Sequence, residues 1–318
     1  MRRYKTDFPD GEMQSIDFGN PALEMAALWL HATGFNAMTY QSMLAPLGLR
    51  TRVTALDMRG HGRTTLEADP KKMKSWHTYR DDVIAFLERN ATKPVVLGGH
   101  SMGGCVALLV AGKRPDLVKG LVLVDPVILS RRLYFLKHAL PFLVGGNAMA
   151  KTARKRRAEY KSQAAARHAW SGKTAFKSWR EPFLDDYVMD GLKRVDHNPH
   201  DSTDQTWRLS CEPAWEAATF AGQRNRPWHA LSKVKKHRLP VVILRPDIQP
   251  VMSDKVADMV VAKYPDLVLK DRPNTSHFHP MEAPYEVRDE LSRAIARLIE
   301  GFAAGDEGPM RRSFHGAG

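Results

Sequence analysis

The fold turns on the stretch Val95-Val96-Leu97-Gly98-Gly99-His100-Ser101-Met102-Gly103-Gly104-Cys105. A short apolar run ends in a G-x-S-x-G turn, and a pattern that is apolar nearly all round continues from Met102 to Lys113. That order predicts a strand, a tight turn and a buried helix, with the serine hydroxyl exposed at the bend. Glycine at 99 and 103 meets a steric need, because such a turn brings backbone and neighbouring strands too close for side chains. The serine is expected in a strained conformation at a helix N-terminus, where the Met102 N–H and the macrodipole favour developing negative charge. Ser101 is therefore the candidate nucleophile.

Outward from this element, short apolar runs recur at Ala27-Leu28-Trp29-Leu30, Val53-Thr54-Ala55-Leu56 and Leu121-Val122-Leu123-Val124. Between the second of these and the Ser101 stretch, Tyr79 to Asn90 carries Val83, Phe86 and Leu87 on one helical face and reads as a surface helix. Apolar strands alternating with helices predict an α/β fold, with a mostly parallel central sheet flanked by helices. After Pro126 the chain turns basic and helix-rich, and strand character returns only at Pro240-Val241-Val242-Ile243-Leu244 and Leu267-Val268-Leu269-Lys270. Residues 128–239 thus read as a helical basic cap inserted before the last two strands. The core comprises 1–127 and 240–303, with a closing helix from about Glu286 to Phe302. Residues 304–318 form a tail expected to be disordered.

With 318 residues, 43% hydrophobic and 26% charged, the composition is that of a globular protein, which excludes fibrous and disordered classes. The net charge of +13 is concentrated: residues 128–239 hold 22 Lys and Arg against 10 Asp and Glu. Its densest run, Lys151-Thr152-Ala153-Arg154-Lys155-Arg156-Arg157, is read as a solvated helix face. No nucleic-acid module accompanies it, so no nucleic-acid partner is expected. Cys105 and Cys211 make no disulfide framework and suit a reducing compartment. The start from Met1 to Asp7 lacks the apolar stretch of a secretory signal, and the reading is cytoplasmic. Leu133 to Ala150 is broken by Lys137, His138 and Pro141, so no membrane span is expected. His197-Asn198-Pro199-His200 reads as a polar loop and not a metal site, because the proline prevents helical pairing of the histidines. Neither a metal nor a cofactor is called for.

Four segments in order resemble the α/β-hydrolase superfamily, in its esterase-like branch with a serine nucleophile: the Ser101 turn, Leu30-His31-Ala32-Thr33-Gly34-Phe35, Asp57-Met58-Arg59-Gly60-His61-Gly62-Arg63, and Ser276-His277-Phe278-His279-Pro280-Met281-Glu282-Ala283-Pro284. The resemblance covers roughly 20–127 and 240–303 and leaves the cap unmatched. It implies the α/β-hydrolase fold with a nucleophile elbow at Gly99-His100-Ser101-Met102-Gly103, and an oxyanion hole made by the Met102 N–H and a second N–H after the early strand. That second donor is assigned to Thr33, with Phe35 as the alternative, since Ala32 replaces the usual glycine and Gly34 shifts the alignment. Asp57 to Gly62 resembles the turn below the site, where Arg59 and His61 are structural.

By the same resemblance His277 is the general base, on a loop from which an imidazole can reach Ser101, and His279 is a neighbouring loop residue. The family usually carries its acid in the turn after the cap, where Gln249 stands here. Two replacements are available: Asp125, at the end of the strand before the cap, and Asp247, in the same turn as Gln249. Asp125 is preferred, with Asp247 the alternative, and both keep the order Ser, acid, His.

The implied function is hydrolysis of a small-molecule carboxylic ester through an acyl-enzyme. Lactonase, thioesterase and carbon–carbon bond hydrolase chemistry use the same residues, and a non-catalytic binding protein using its basic cap is the reading from another class. Serine in place of aspartate disfavours dehalogenase and epoxide hydrolase chemistry. Leu133, Tyr134, Phe135, Leu136, Leu140, Phe142, Leu143 and Val144 are expected to supply a roof for an acyl pocket. The oligomeric state is left open.

Overall fold

A computed structural model describes residues 1–139, 148–196 and 205–299. The chain opens on a hairpin of β1 (Arg2–Phe8) and β2 (Gly11–Phe18), followed by β3 (Met25–Leu30), β4 (Arg52–Leu56), β5 (Val95–His100) and β6 (Val118–Val124). Short strands β7 (Glu159–Tyr160), β8 (Leu192–Asp196) and β9 (Gln205–Leu209) precede the closing pair β10 (Val241–Pro246) and β11 (Val268–Arg272). One eight-stranded sheet has the order β1-β2-β4-β3-β5-β6-β10-β11. It is antiparallel at β1–β2 and β2–β4 and parallel from β4 to β11, so the central sheet is mostly parallel, as the alternation of apolar runs and helices predicts.

Alternation along the strands divides the interior in two. On β3, Leu28 and Leu30 face the helices His77–Asn90 and Met102–Lys113, whereas Ala27 and Trp29 face Val287, Leu291 and Ile295 of the closing helix Pro284–Ile299. All six residues of β5 are buried, which is why this strand shows no polar alternation before His100 at its end. β4 lies on one side of β3 and β5 on the other, so the order reverses between β3 and β5. In open α/β sheets the carboxyl ends of the strands at such a reversal frame a crevice. His31 and Ser101 follow those two ends directly.

Residues 128–239 are not all helix. Their described part includes the helices Gln163–Trp170, Phe183–Gly191, Pro213–Ala221 and Pro227–Lys236, together with a three-stranded antiparallel sheet in the order β7-β9-β8. A small core of Tyr160, Phe176, Leu184, Tyr187, Leu192 and Leu209 belongs to this segment. The helix Pro227–Lys236 instead packs on Met102–Lys113, and its Leu231 and Val234 share the main core. Pro213–Ala221 is pinned to the helix His77–Asn90 and the turn before it: Trp76 donates its indole N–H to the Thr219 carbonyl (2.9 Å), and the Tyr79 and Thr219 hydroxyls bond each other (2.8 Å). Tyr134 is buried in the main core, Phe135 and Leu136 are exposed, and Leu140, Phe142, Leu143 and Val144 lie outside the described residues, as does His197 to His200.

Asp190, whose side chain is fully buried, receives Arg3 at 2.5 Å and Arg63 at 2.6 Å. One carboxylate thereby joins the first strand, the loop after β4 and the helix Phe183–Gly191. Among the described residues no helix is long and apolar enough to cross a membrane.

Candidate active site

Ser101 stands between β5 and the helix Met102–Lys113 with φ 56° and ψ −114°, a strained conformation for a residue with a side chain. The surroundings over-determine it. The Ser101 N–H donates to the Val124 carbonyl (2.9 Å), and the Ser101 carbonyl accepts from Cys105 (3.1 Å) and Val127 (3.2 Å). A Cβ on Gly99 would stand 2.5 Å from the Gly103 carbonyl, and one on Gly103 would run into the Leu30 carbonyl oxygen. Glycine at both positions is therefore a packing requirement of the bend.

His277 reaches this hydroxyl from the loop after β11, with its Nε2 3.0 Å from Ser101 Oγ. Its Nδ1 lies 2.6 Å from Asp125 Oδ2, a carboxylate with no solvent exposure at the end of β6. Asp125 has φ 38°, which turns it out of the strand direction, and its oxygens also accept the N–H groups of Val251 (3.0 Å) and Met252 (3.3 Å). A carboxylate only accepts, so Nδ1 carries the ring proton and Nε2 is free to accept from the serine. Asp247, the alternative acid, is exposed, and both of its carboxylate oxygens are engaged by backbone donors. It caps the approach to His277 by accepting the N–H groups of Asn274 (3.1 Å) and Thr275 (3.3 Å). Gln249 is exposed at a positive φ of 49°.

The loop after β3 presents a row of backbone donors, and most are engaged. Ala32 N–H donates to the Tyr40 hydroxyl (3.1 Å), Gly34 N–H to His61 Nε2 (3.1 Å) and Phe35 N–H to the Ala32 carbonyl (3.1 Å). Among the described residues the N–H of Thr33 meets no acceptor, and neither does that of Met102. The Thr33 hydroxyl lies 3.4 Å from the Met102 sulfur, which brings the two residues together, while the Phe35 N–H is committed to its own turn.

Buried histidines support this loop. His31 donates from Nδ1 to the Ala32 carbonyl (2.8 Å) and accepts the Met58 N–H at Nε2 (3.0 Å). His61 donates from Nδ1 to the Arg59 carbonyl (2.9 Å). Burial holds His61 down at about 4 and drives His31 well below the ordinary range, with His61 adding to the effect on His31; both rings are neutral. Arg59 makes a two-point contact with Asp82, at 2.7 and 2.8 Å, and has no contact with Ser101. His279 is buried beside Thr275 and held down at about 4 by burial and by Arg272.

Three side chains at the site carried no motif signal. Tyr40 and His100 are buried behind Ser101, the second in the free position of G-x-S-x-G. Trp179, from residues 128–239, packs on Phe35 (5.2 Å between centroids) and Phe278 (6.0 Å). Next to it, Arg180 N–H donates to the Met281 carbonyl (3.2 Å), tying that segment to the loop that carries His277. A cleft of about 880 Å³ bounded by Arg63, Leu66, Lys193, Trp207 and Trp215 lies elsewhere and includes none of Ser101, Asp125 and His277.

Over 105 residues the chain is 33% identical to monoglyceride lipase of Homo sapiens, a match taking in 31% of this chain and 34% of that protein. Over 98 residues it is 31% identical to 2-(acetamidomethylene)succinate hydrolase of Mesorhizobium japonicum, again 31% of this chain and 34% of the relative. The matches thus span about a third of the length of these relatives. The crystal structure of E-2-(acetamidomethylene)succinate hydrolase shares the fold at a TM-score of 0.72 and 19% identity, over 93% of this chain and 99% of that one. The sequence profile of the alpha/beta hydrolase family matches residues 27–290, and with that span added to the eight-stranded sheet and the turn at Ser101, the chain belongs to the alpha/beta hydrolase family.

Proposed function

We propose that the chain is a serine hydrolase that cleaves small-molecule carboxylic esters through an acyl-enzyme. The reading is carried by one arrangement: Ser101 Oγ to His277 Nε2 at 3.0 Å and His277 Nδ1 to Asp125 at 2.6 Å. Ser101 attacks the ester carbonyl while His277 Nε2 takes its proton, and Asp125 stabilises the resulting imidazolium. The N–H groups of Met102 and Thr33 receive the oxyanion. His277 then returns the proton to the departing alkoxide. Water repeats the sequence on the acyl-enzyme, releasing the acid and restoring Ser101.

The free Thr33 N–H and the engaged Phe35 N–H favour Thr33 as the second donor. Contact between His277 and a carboxylate speaks against a non-catalytic binding protein. Residues 128–239 act as a cap on a core of 1–127 and 240–303, a division supported by the packing of Trp179 on Phe35 and Phe278. A cytoplasmic location suits the two buried free thiols, Cys105 and Cys211.

Ser101→Ala tests the proposal. The variant is expected to melt like the parent, to lose hydrolysis of short p-nitrophenyl esters and to escape labelling by a fluorophosphonate. Turnover near that of the parent would overturn the serine mechanism. Assaying matched thioesters, lactones and β-diketones beside the esters assigns the scissile bond.

A further inference from the structure

Four groups stand in single file between the loop after β3 and the loop of His277. Ala32 N–H donates to Tyr40 Oη (3.1 Å), Tyr40 Oη lies 2.8 Å from His100 Nδ1, and His100 Nε2 lies 2.7 Å from the backbone carbonyl oxygen of His277. Tyr40 and His100 have no solvent exposure. The direction of each bond is fixed by counting protons. The His277 carbonyl can only accept, so His100 Nε2 carries the imidazole proton and Nδ1 accepts. Tyr40 therefore gives its one proton to Nδ1 and uses a lone pair for the Ala32 N–H. Burial and the neighbouring His277 ring hold His100 well below the ordinary histidine range, which agrees with this neutral form.

The file touches each part that acyl transfer must keep in register. One end holds the Ala32 N–H, in the His31–Ala32 peptide, and the next peptide, Ala32–Thr33, has its carbonyl pinned by His31 Nδ1. A trans peptide sets C=O and N–H on opposite sides, so holding that carbonyl aims the Thr33 N–H. The other end holds the backbone of His277, and the middle member is covalently joined to Ser101. We propose that Tyr40 and His100 are positioning residues, forming a buried relay that fixes the Thr33 donor and the His277 base to the frame that carries Ser101. The inference rests on the acyl-transfer reading above. A misplacement of about 1 Å at such a centre can cost around a hundredfold in rate, so loosening either end has a visible effect.

The test compares Tyr40→Phe, His100→Gln and His100→Asn with the parent chain, by the rate of labelling with a fluorophosphonate and by kcat and KM on p-nitrophenyl acetate. Tyr40→Phe keeps the ring but loses both hydrogen bonds. It is expected to lower labelling and kcat by about tenfold, with KM within about twofold, in a variant that stays folded at the assay temperature although its melting midpoint falls, since the Ala32 N–H and His100 Nδ1 lose their partner. In His100→Gln the amide nitrogen replaces Nε2 and keeps the bond to the His277 carbonyl, so labelling stays within about threefold. His100→Asn replaces only the Nδ1 position and is expected to fall about tenfold.

Equal effects of Gln and Asn, or parental labelling of Tyr40→Phe, would overturn the relay. Should His100→Asn fail to fold, Tyr40→Phe decides alone on the same criterion. An unlabelled parent would overturn the acyl-transfer reading and the relay's catalytic role with it; a labelled parent with unaffected variants overturns the relay only.

Discussion

Asp125 leaves β6 at a positive φ and turns its carboxylate onto His277, whereas Asp247 spends both oxygens on the backbone of the loop below that residue. The two carboxylates therefore predict different losses. Asp125→Asn is expected to lower turnover by at least about a hundredfold, because an amide can neither hold the tautomer in the same way nor stabilise the imidazolium by charge. Asp247→Asn is expected to cost less than about tenfold. Steady-state rates on a p-nitrophenyl ester check the ranking, once both variants are shown to melt with the parent. The reverse order would move the acid to the turn after the cap. Ser101 and His277 are legible from sequence because each sits in a motif whose spacing is local. The acid is not, since its partner lies 152 residues away and two aspartates meet the same order along the chain. Tyr40 has no local signature, because its role comes from where the fold sets its hydroxyl.

At the scale of elements, apolar runs mark strands that are covered on both faces, and β3, β4, β5, β6 and β10 all carry one, whereas the edge strand β11 is only partly buried. The hairpin β1–β2 carries Arg2, Arg3, Lys5, Asp7, Glu12 and Asp17, so its hydrophobic signal is diluted at the sheet edge, where charge discourages pairing with another chain. Its Pro9-Asp10 turn, followed by Gly11, is the available sign. The sheet β7-β9-β8 is harder to read, since β7 has two residues and pairs with a strand some fifty positions on. Docking of the helix Pro213–Ala221 depends on polar contacts inside an apolar setting. Thr219→Val keeps the shape but removes the hydroxyl that Tyr79 meets, leaving a phenol oxygen buried without its partner. Stability is expected to fall by about 1–3 kcal/mol, read as a lower urea midpoint at constant m. An unchanged midpoint would mean that Tyr79 finds another acceptor.

For the molecule as a whole, pH acts through groups buried in their neutral forms. His31, His61, His100 and His279 are all held below the ordinary histidine value of 6.5, chiefly by burial. A depressed histidine contributes stability that is fully present above about 6.5 and is lost as pH falls toward its folded value, near 4 for His61 and His279. At about 1.4 kcal/mol per unit, His61 alone accounts for a loss on the order of 3 kcal/mol. Asp57 runs the other way. Its carboxyl is pushed up to about 7 by burial and then by Asp190, so its contribution is complete below about 4 and is lost as pH rises to 7. Asp82 and Asp186 are raised by burial in the same sense as Asp57. With four depressed histidines against three raised carboxyls, calorimetry at pH 7 and 4.5 is expected to show a lower midpoint in acid. A midpoint that holds steady or rises would contradict this balance.

The carboxylate of Asp190 also has a meaning in terms of descent. It holds Arg3 and Arg63 from segments 187 and 127 positions away, and it has no solvent exposure, whereas the two arginine side chains are 25% and 55% exposed. An unpaired charge is costly where it is buried and cheap where water reaches it, so the cost of breaking this cluster falls on the carboxylate. Among descendants of a common ancestor either arginine can drift while the other stays, but losing both leaves Asp190 a buried charge without a cation, so a lineage without Arg3 and Arg63 is expected to have lost Asp190 as well.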